Sequence, residues 1–202
     1  MNVVRKITVG GVIREGIGIG LKNSLSLLGA TLLWLITIWI PYLNVGTTIA
    51  ITTIPIELSK GKVISPTFIF GAKYRKYMGE YFNLIGLMLM SIIPAFLFMV
   101  IPAYVIVISW SLAIYILLDK GVSPSDALIQ SNKATYGYKW TIFFVCLILY
   151  IVSCILLYAL VLVPYVGILL AIILYLVLIV SSLGCYAVIY RELTKDEVAP
   201  AE

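Results

Sequence analysis

The sequence predicts an all-α, polytopic membrane helical bundle, with six transmembrane helices as three hairpins and amphipathic helices on the cytoplasmic surface. Three observations predict it. Of 202 residues, 62% are apolar and 11% charged, and the mean hydropathy is +1.11, outside the range of soluble globular domains. All 14 Lys and Arg and all 9 Asp and Glu fall outside three uncharged blocks, 23–56, 81–118 and 140–190. Each block carries a proline near its centre, at Pro41, Pro102 and Pro164.

A bilayer core about 30 Å thick needs roughly 20 helical residues to cross it. Blocks of 34, 38 and 51 residues are therefore each about two crossings long. The phrases Ile40-Pro41-Tyr42, Ile101-Pro102-Ala103-Tyr104 and Val163-Pro164-Tyr165 mark the expected turns. Proline interrupts helical hydrogen bonding and tyrosine favours the headgroup layer, which fits turns at the far interface. Residues 1–202 then form a single integral membrane domain. It comprises an interfacial arm 1–22, the three hairpins, loops 57–80 and 119–139, and a tail 191–202.

Orientation follows from the basic residues. All 14 lie in the arm, the two long loops and the tail, which places both termini and both loops in the cytoplasm of an inner-membrane protein under the positive-inside rule. A net charge of +5 favours anionic headgroups of membrane lipids over nucleic acid. The expected lipid or partner surface is Lys60, Lys62, Lys73, Arg75 and Lys76 in the first loop, with Lys120, Lys133 and Lys139 in the second.

The basic arm runs into apolar sequence through Leu33 and Trp39 without an A-x-A cleavage pattern, so it is expected to stay attached. Ile13, Ile17, Leu21, Leu25 and Leu28 form a helical stripe that predicts an interfacial helix leading into the first crossing. Gly16, Gly18 and Gly20 lack the strand and the Lys-Ser/Thr of a phosphate loop. The G-x-x-x-G spacing of Gly16 and Gly20 points instead to a flexible lead-in or close helix packing.

The loops echo one another. Lys60-Gly61-Lys62-Val63-Ile64-Ser65-Pro66 follows the first hairpin and Lys120-Gly121-Val122-Ser123-Pro124 the second. Acid-Lys exits at Glu57 to Lys60, Asp119-Lys120 and Glu192 to Lys195 complete a unit of about 60 residues, read as a parallel internal repeat. Each Ser-Pro predicts a capped helix with proline in its first turn, reinforced in the second loop by Asp126. The second helix is expected from about Pro124 to Tyr136, resting on the bundle through Ala127, Leu128, Ser131, Ala134 and Thr135. Its counterpart near Pro66 to Tyr77 sets Phe68, Ile69, Phe70, Tyr74 and Tyr77 beside Lys73, Arg75 and Lys76, a membrane-surface composition.

The stretch Asp119-Lys120-Gly121, Ser123-Pro124, Ala127-Leu128 and Ser131, leading through Gly137 and Trp140 into an apolar hairpin, resembles a bacterial and archaeal group of membrane proteins. That group includes the six-helix membrane domain of some glycerophosphodiester phosphodiesterases and stand-alone relatives. The match covers residues 119–143, with weaker support from 40–57 and from Tyr190-Arg191-Glu192-Leu193. It implies a fold and a membrane-embedded supporting role. It transfers no activity, because these 202 residues contain no histidine and no soluble phosphodiesterase domain.

Acid–base or metal catalysis needs His, Cys or paired carboxylates converging in a shielded site. Cys146, Cys154 and Cys185 lie inside expected crossings without C-x-x-C spacing and read as small apolar filler. Glu57, Glu80, Asp119 and Glu192 sit at helix ends near Lys or Arg, as ion-pairing anchors do. The expectation is a protein that is not an enzyme and needs no cofactor: a scaffold or complex subunit engaging lipid, a protein partner or its own copies through its basic cytoplasmic face. The alternative is a small permease or channel, based on Asn44, Thr48 and Thr52 at i, i+4, i+8 with Glu57 beyond Pro55, a candidate polar transmembrane face. Against it, threonines in membrane helices commonly bond backbone carbonyls, and Trp34 and Trp110 each require a partner within the bundle.

Overall fold

The computed structural model describes residues 7–163 and 166–195. Arg5, Lys6, the expected Pro164-Tyr165 turn and the tail after Lys195 lie outside the described residues. The described chain is helical, with no strand among those residues. Four helices are long and apolar enough to cross a membrane, or five if one bent pair counts as a span. Six were expected, and the difference lies in the first hairpin.

Helix α1, Val9–Lys22, starts at Thr8, whose side chain accepts the Gly11 N–H. At Asn23 the chain bends by 73° into α2, Ser24–Thr37. After a turn at 38–40, Pro41 opens α3, Pro41–Thr52, and a break at Thr53 separates it from α4, Ile54–Ser59. Pro41 occupies the first helical position, where a missing N–H costs nothing. At 1.5 Å per residue α2 and α3 measure about 21 and 18 Å, each short of a bilayer core.

The segment expected to form one amphipathic helix between Pro66 and Tyr77 is two 3-10 turns, Pro66–Phe70 and Ala72–Tyr77. Gly71, in an extended conformation, parts them. Ser65 makes no capping bond to the backbone and pairs with the Thr67 hydroxyl instead. The position matching Asp126 is Phe68, so the reciprocal cap that starts a regular helix is missing. The aromatics turn largely inward. Ile69 and Tyr74 are buried with Ala30, Ile49 and Ala50 of α2 and α3, while Phe70 stays exposed.

Helix α5, Met78–Phe98, reverses at Met99, whose backbone is extended, into α6, Val100–Ser109. The reversal thus comes three residues before Pro102, which sits in the first turn of α6 for the same reason as Pro41. A break at 110–112 precedes α7, Ala113–Lys120. Then follow α8, Pro124–Thr135, and α9, Lys139–Val161. The last helix is α10, Gly167–Thr194.

Helix α8 forms as its sequence predicts. Ser123 accepts the Asp126 N–H at 3.2 Å and donates to its carboxylate at 2.6 Å, and the buried face is Ala127, Ser131 and Thr135. That face rests on the α6–α7 break. Ser131 donates to the Ser109 carbonyl at 2.7 Å and accepts the Leu112 N–H at 3.2 Å, while Thr135 also donates to the Ser109 carbonyl, at 3.3 Å. Backbone groups released by a helix break within apolar surroundings must find partners, and α8 supplies them.

The core lies in the half of the bundle nearest the charges. Buried residues of α5 are Tyr81 and Leu84, those of α9 are Ile142 and Val145, and all but one of those of α10 lie from Val180 onward. Toward the uncharged turns the helices expose large apolar side chains, including Phe98, Ile101 and Leu162. Contiguous apolar surface on this scale needs a nonaqueous neighbour, which a bilayer provides.

Helix α1 crosses the packed half of α10. The contact centres on Val12, Gly16 and Gly20; of the Ile13, Ile17, Leu21 stripe beside them, Ile13 packs against the same core, while Leu21 is exposed together with Leu25 of α2. A methyl group on Gly16 would come within 2.6 Å of the Cys185 backbone, and one on Gly184 would overlap the Gly16 carbonyl. The G-x-x-x-G spacing therefore serves close helix packing. No Cβ fits between these backbones.

Candidate functional site at the hairpin exits

The three chain segments that leave the hairpins meet at one place. Helix α4 ends at Ser59 and α7 at Lys120, and each is followed by a glycine with positive φ, Gly61 at 71° and Gly121 at 65°. Side-chain-bearing residues seldom adopt that conformation, so glycine here lets the chain leave the helix sharply. The Lys60 ammonium pairs with Asp119, and the Tyr190 hydroxyl of α10 donates to the other oxygen of the same carboxylate at 2.7 Å. One carboxylate thereby joins the first exit to the second and both to the last helix.

Beside this junction, a cleft of about 310 Å³ is lined by Thr53, Glu57, Lys73, Lys76, Tyr77 and Asp119, among others. Its acids are engaged: Glu57 pairs with Lys62 at 3.2 Å and Asp119 with Lys60. Lys73 sits with its ammonium 4.9 Å from the centre of the Tyr74 ring. Among the described residues neither Lys73 nor Lys76 has a carboxylate within ion-pairing distance. Two ammonium groups and a tyrosine at the rim of a cleft offer an anion a place to bind.

The remaining expected surface residues lie apart from the cleft or face elsewhere. Lys120 donates to Gln130 at 3.3 Å and Lys139 to Asn132 at 3.2 Å, both in the second half of α8, and Lys133 is exposed near the end of α8. Arg75 turns away from its neighbours, with its guanidinium 6.0 Å from the centre of the Tyr42 ring. The expected ion-pairing role of the acids holds for Glu57, Asp119 and Glu192, the last bonded to Arg191 at 2.9 Å and Lys195 at 3.0 Å. Arg191 reaches Glu15 of α1 at 2.6 Å as well.

The row Asn44, Thr48, Thr52 and Glu57 is split by the Thr53 break, which leaves Glu57 at the cleft and the others on α3. Thr48 donates to Asn44 at 3.0 Å and accepts the Trp34 indole N–H at 2.9 Å. Thr52 donates to the Ile49 carbonyl at 2.7 Å. These groups tie α2 to α3, and Trp34 has the partner its sequence position required.

Tyr77, expected at the membrane surface, lines the cleft, and Tyr190, which the sequence offered only as part of the Tyr190-Arg191-Glu192-Leu193 ending, bonds Asp119. For Tyr190 the signal was its place at the end of the last uncharged block, directly before Arg191. Comparisons with models of known families, with curated proteins and with solved structures find no match. The expected resemblance to phosphodiesterase membrane domains is carried by the sequence of residues 119–143, with weaker support from 40–57 and 190–193, and these comparisons do not bear on it.

Proposed function

We propose that this protein is a non-catalytic membrane scaffold that holds anionic lipid headgroups at its basic, cytoplasmic face. The observation that carries the proposal is the cleft at the hairpin exits, where Lys73 and Lys76 stand beside acids already neutralised by Lys60 and Lys62. A phosphate of a headgroup is the anion a membrane brings to that depth, and juxtamembrane lysines attract it by about 1 kcal/mol each. Among the described residues no group of three His, Cys, Asp or Glu side chains is placed to hold a metal ion. The same face, with α8 and its exposed Lys133, is where a protein partner would also be met.

Purification in mild detergent followed by native mass spectrometry tests the reading. Retention of phosphatidylglycerol by the native chain, and its loss from a Lys73→Ala, Lys76→Ala variant of unchanged melting temperature, is the expected result. A monomer that retains neither lipid nor partner overturns it. A recurrent protein partner without lipid would move the reading from headgroup binding to complex assembly.

A further inference from the structure

We propose that the first hairpin does not cross the bilayer: the α2–α3 tip stays in the leaflet that holds the basic loops, where its apolar surface is embedded among the acyl chains of that leaflet. The evidence is the position of Arg75. Its stem lies on Gly46, where an added Cβ would be 2.9 Å from the arginine Cγ, and its guanidinium stands 6.0 Å from the Tyr42 ring centre. Tyr42 is the second residue of α3, directly after the hairpin turn. Lys73 and Lys76, on the same 3-10 turn, line the cleft with Thr53 and Glu57 at the other end of that hairpin arm.

One turn of six residues, about 12 Å long at 2.0 Å per residue, thus touches both the exit and, through one arginine side chain, the tip. A spanning hairpin would hold those points about 30 Å apart. If the tip lay at the opposite interface, Arg75 would have to be drawn through the hydrocarbon away from Lys73 and Lys76, which the chain length forbids. Both lysines are exposed beside the ion pairs of the exits.

Other features fit the shallow placement. Helix α3 has 12 residues, and α2 leaves α1 at a bend of 73°. Leu25, Leu32 and Ile36 of α2 are exposed and match acyl chains, while Trp39, Tyr42 and Arg75 match the headgroup boundary, where such side chains settle. The chain then crosses four times, through α5, the α6–α7 pair, α9 and α10. Four and six crossings both return the chain to its starting side, so the charge asymmetry is satisfied either way.

The test is the side from which a tip thiol reacts. The three native cysteines lie in α9 and α10, away from aqueous reagents, so Trp39→Cys, Lys73→Cys and Met99→Cys are made singly in the full chain. Each is exposed to a membrane-impermeant maleimide in right-side-out and inverted vesicles. The expected result is that the Trp39→Cys and Lys73→Cys thiols label from one side and the Met99→Cys thiol from the other. Labelling of Trp39→Cys together with Met99→Cys overturns the proposal. If the tip thiol is shielded from both sides, a Gly46→Cys, Arg75→Cys pair decides. Disulfide formation in intact vesicles supports the shallow hairpin, and two thiols that remain open to a permeant reagent after oxidation refute it.

Discussion

The Ser131 hydroxyl stands in for a helical hydrogen bond at Ser109: it donates to the Ser109 carbonyl at 2.7 Å while accepting the Leu112 N–H at 3.2 Å. A surface helix thereby completes the hydrogen bonding of an interrupted crossing. Ser131 is fully buried, so water cannot replace it. Ser131→Ala is expected to lower stability by about 1–3 kcal/mol, the penalty for stranding buried backbone groups. Thr135→Val should lower it by less, since Ser131 still serves the same carbonyl. Unfolding in mixed micelles checks the order, and equal losses would mean that Ser131 has no special share.

Helix packing at the α1–α10 crossing gives a second expectation. Gly184→Ala places a methyl group on the Gly16 carbonyl and should destabilise by about 1–3 kcal/mol through forced separation of the helices. Gly18→Ala, at an exposed position with open space around it, should be neutral or slightly stabilising because alanine favours helix. A melting-temperature difference between the two variants tests this, and indistinguishable values would contradict the packing account.

The junction at Asp119 separates a charge effect from a hydrogen-bond effect. Asp119→Asn removes the attraction for Lys60 but retains an acceptor for Tyr190, and the partly exposed pair is worth about 0–1 kcal/mol. Asp119→Ala removes both partners and should lower stability further. Raising salt to about 1 M shortens the Debye length to about 3 Å, so the deficit of the Asn variant should shrink. The additional deficit of the Ala variant should persist, and denaturation at two salt concentrations reads both.

For the α2–α3 pair, Thr48→Val deletes the bonds to Trp34 and Asn44. Such interhelical bonds average about 0.6 kcal/mol in membranes, with a maximum near 1.7. Stability should fall in that range, accompanied by a change in Trp fluorescence as the indole loses its acceptor. A variant with unchanged stability and altered solute flux in vesicles would restore the permease alternative.

Local signals were the readable ones. Ser123, Pro124 and Asp126 specify a helix start within four residues, and α8 begins where they place it. Gly16 and Gly20 carried close packing in their spacing, though not their partner, because Gly184 is supplied by a helix at the other end of the chain. Pro102 misplaced the second turn, since proline is equally at home one turn into a helix, and the reversal occurs at Met99. The Ser109 carbonyl at the α6–α7 break takes its hydrogen bond from Ser131, 22 residues further on, a pairing that no local pattern encodes. The cleft was legible as a set of charges but not as a place: the Lys60–Asp119 and Tyr190–Asp119 contacts join separate exits, and no local periodicity encodes them.

Helix α10, with 28 residues, is about 42 Å long and exceeds a hydrocarbon core by roughly 12 Å. Helix α1 grips it at Val180, Gly184 and Cys185, a point about 20 to 27 Å from its start, just inside the nearer boundary of a core about 30 Å deep. The backbone interlock prevents α1 from sliding along α10 independently. In a thicker bilayer the clasp is drawn deeper into the hydrocarbon, and in a thinner one it rides outward or α10 leans over. The glycine crossing thus ties the depth of α1 to that of α10, set by where two backbones touch.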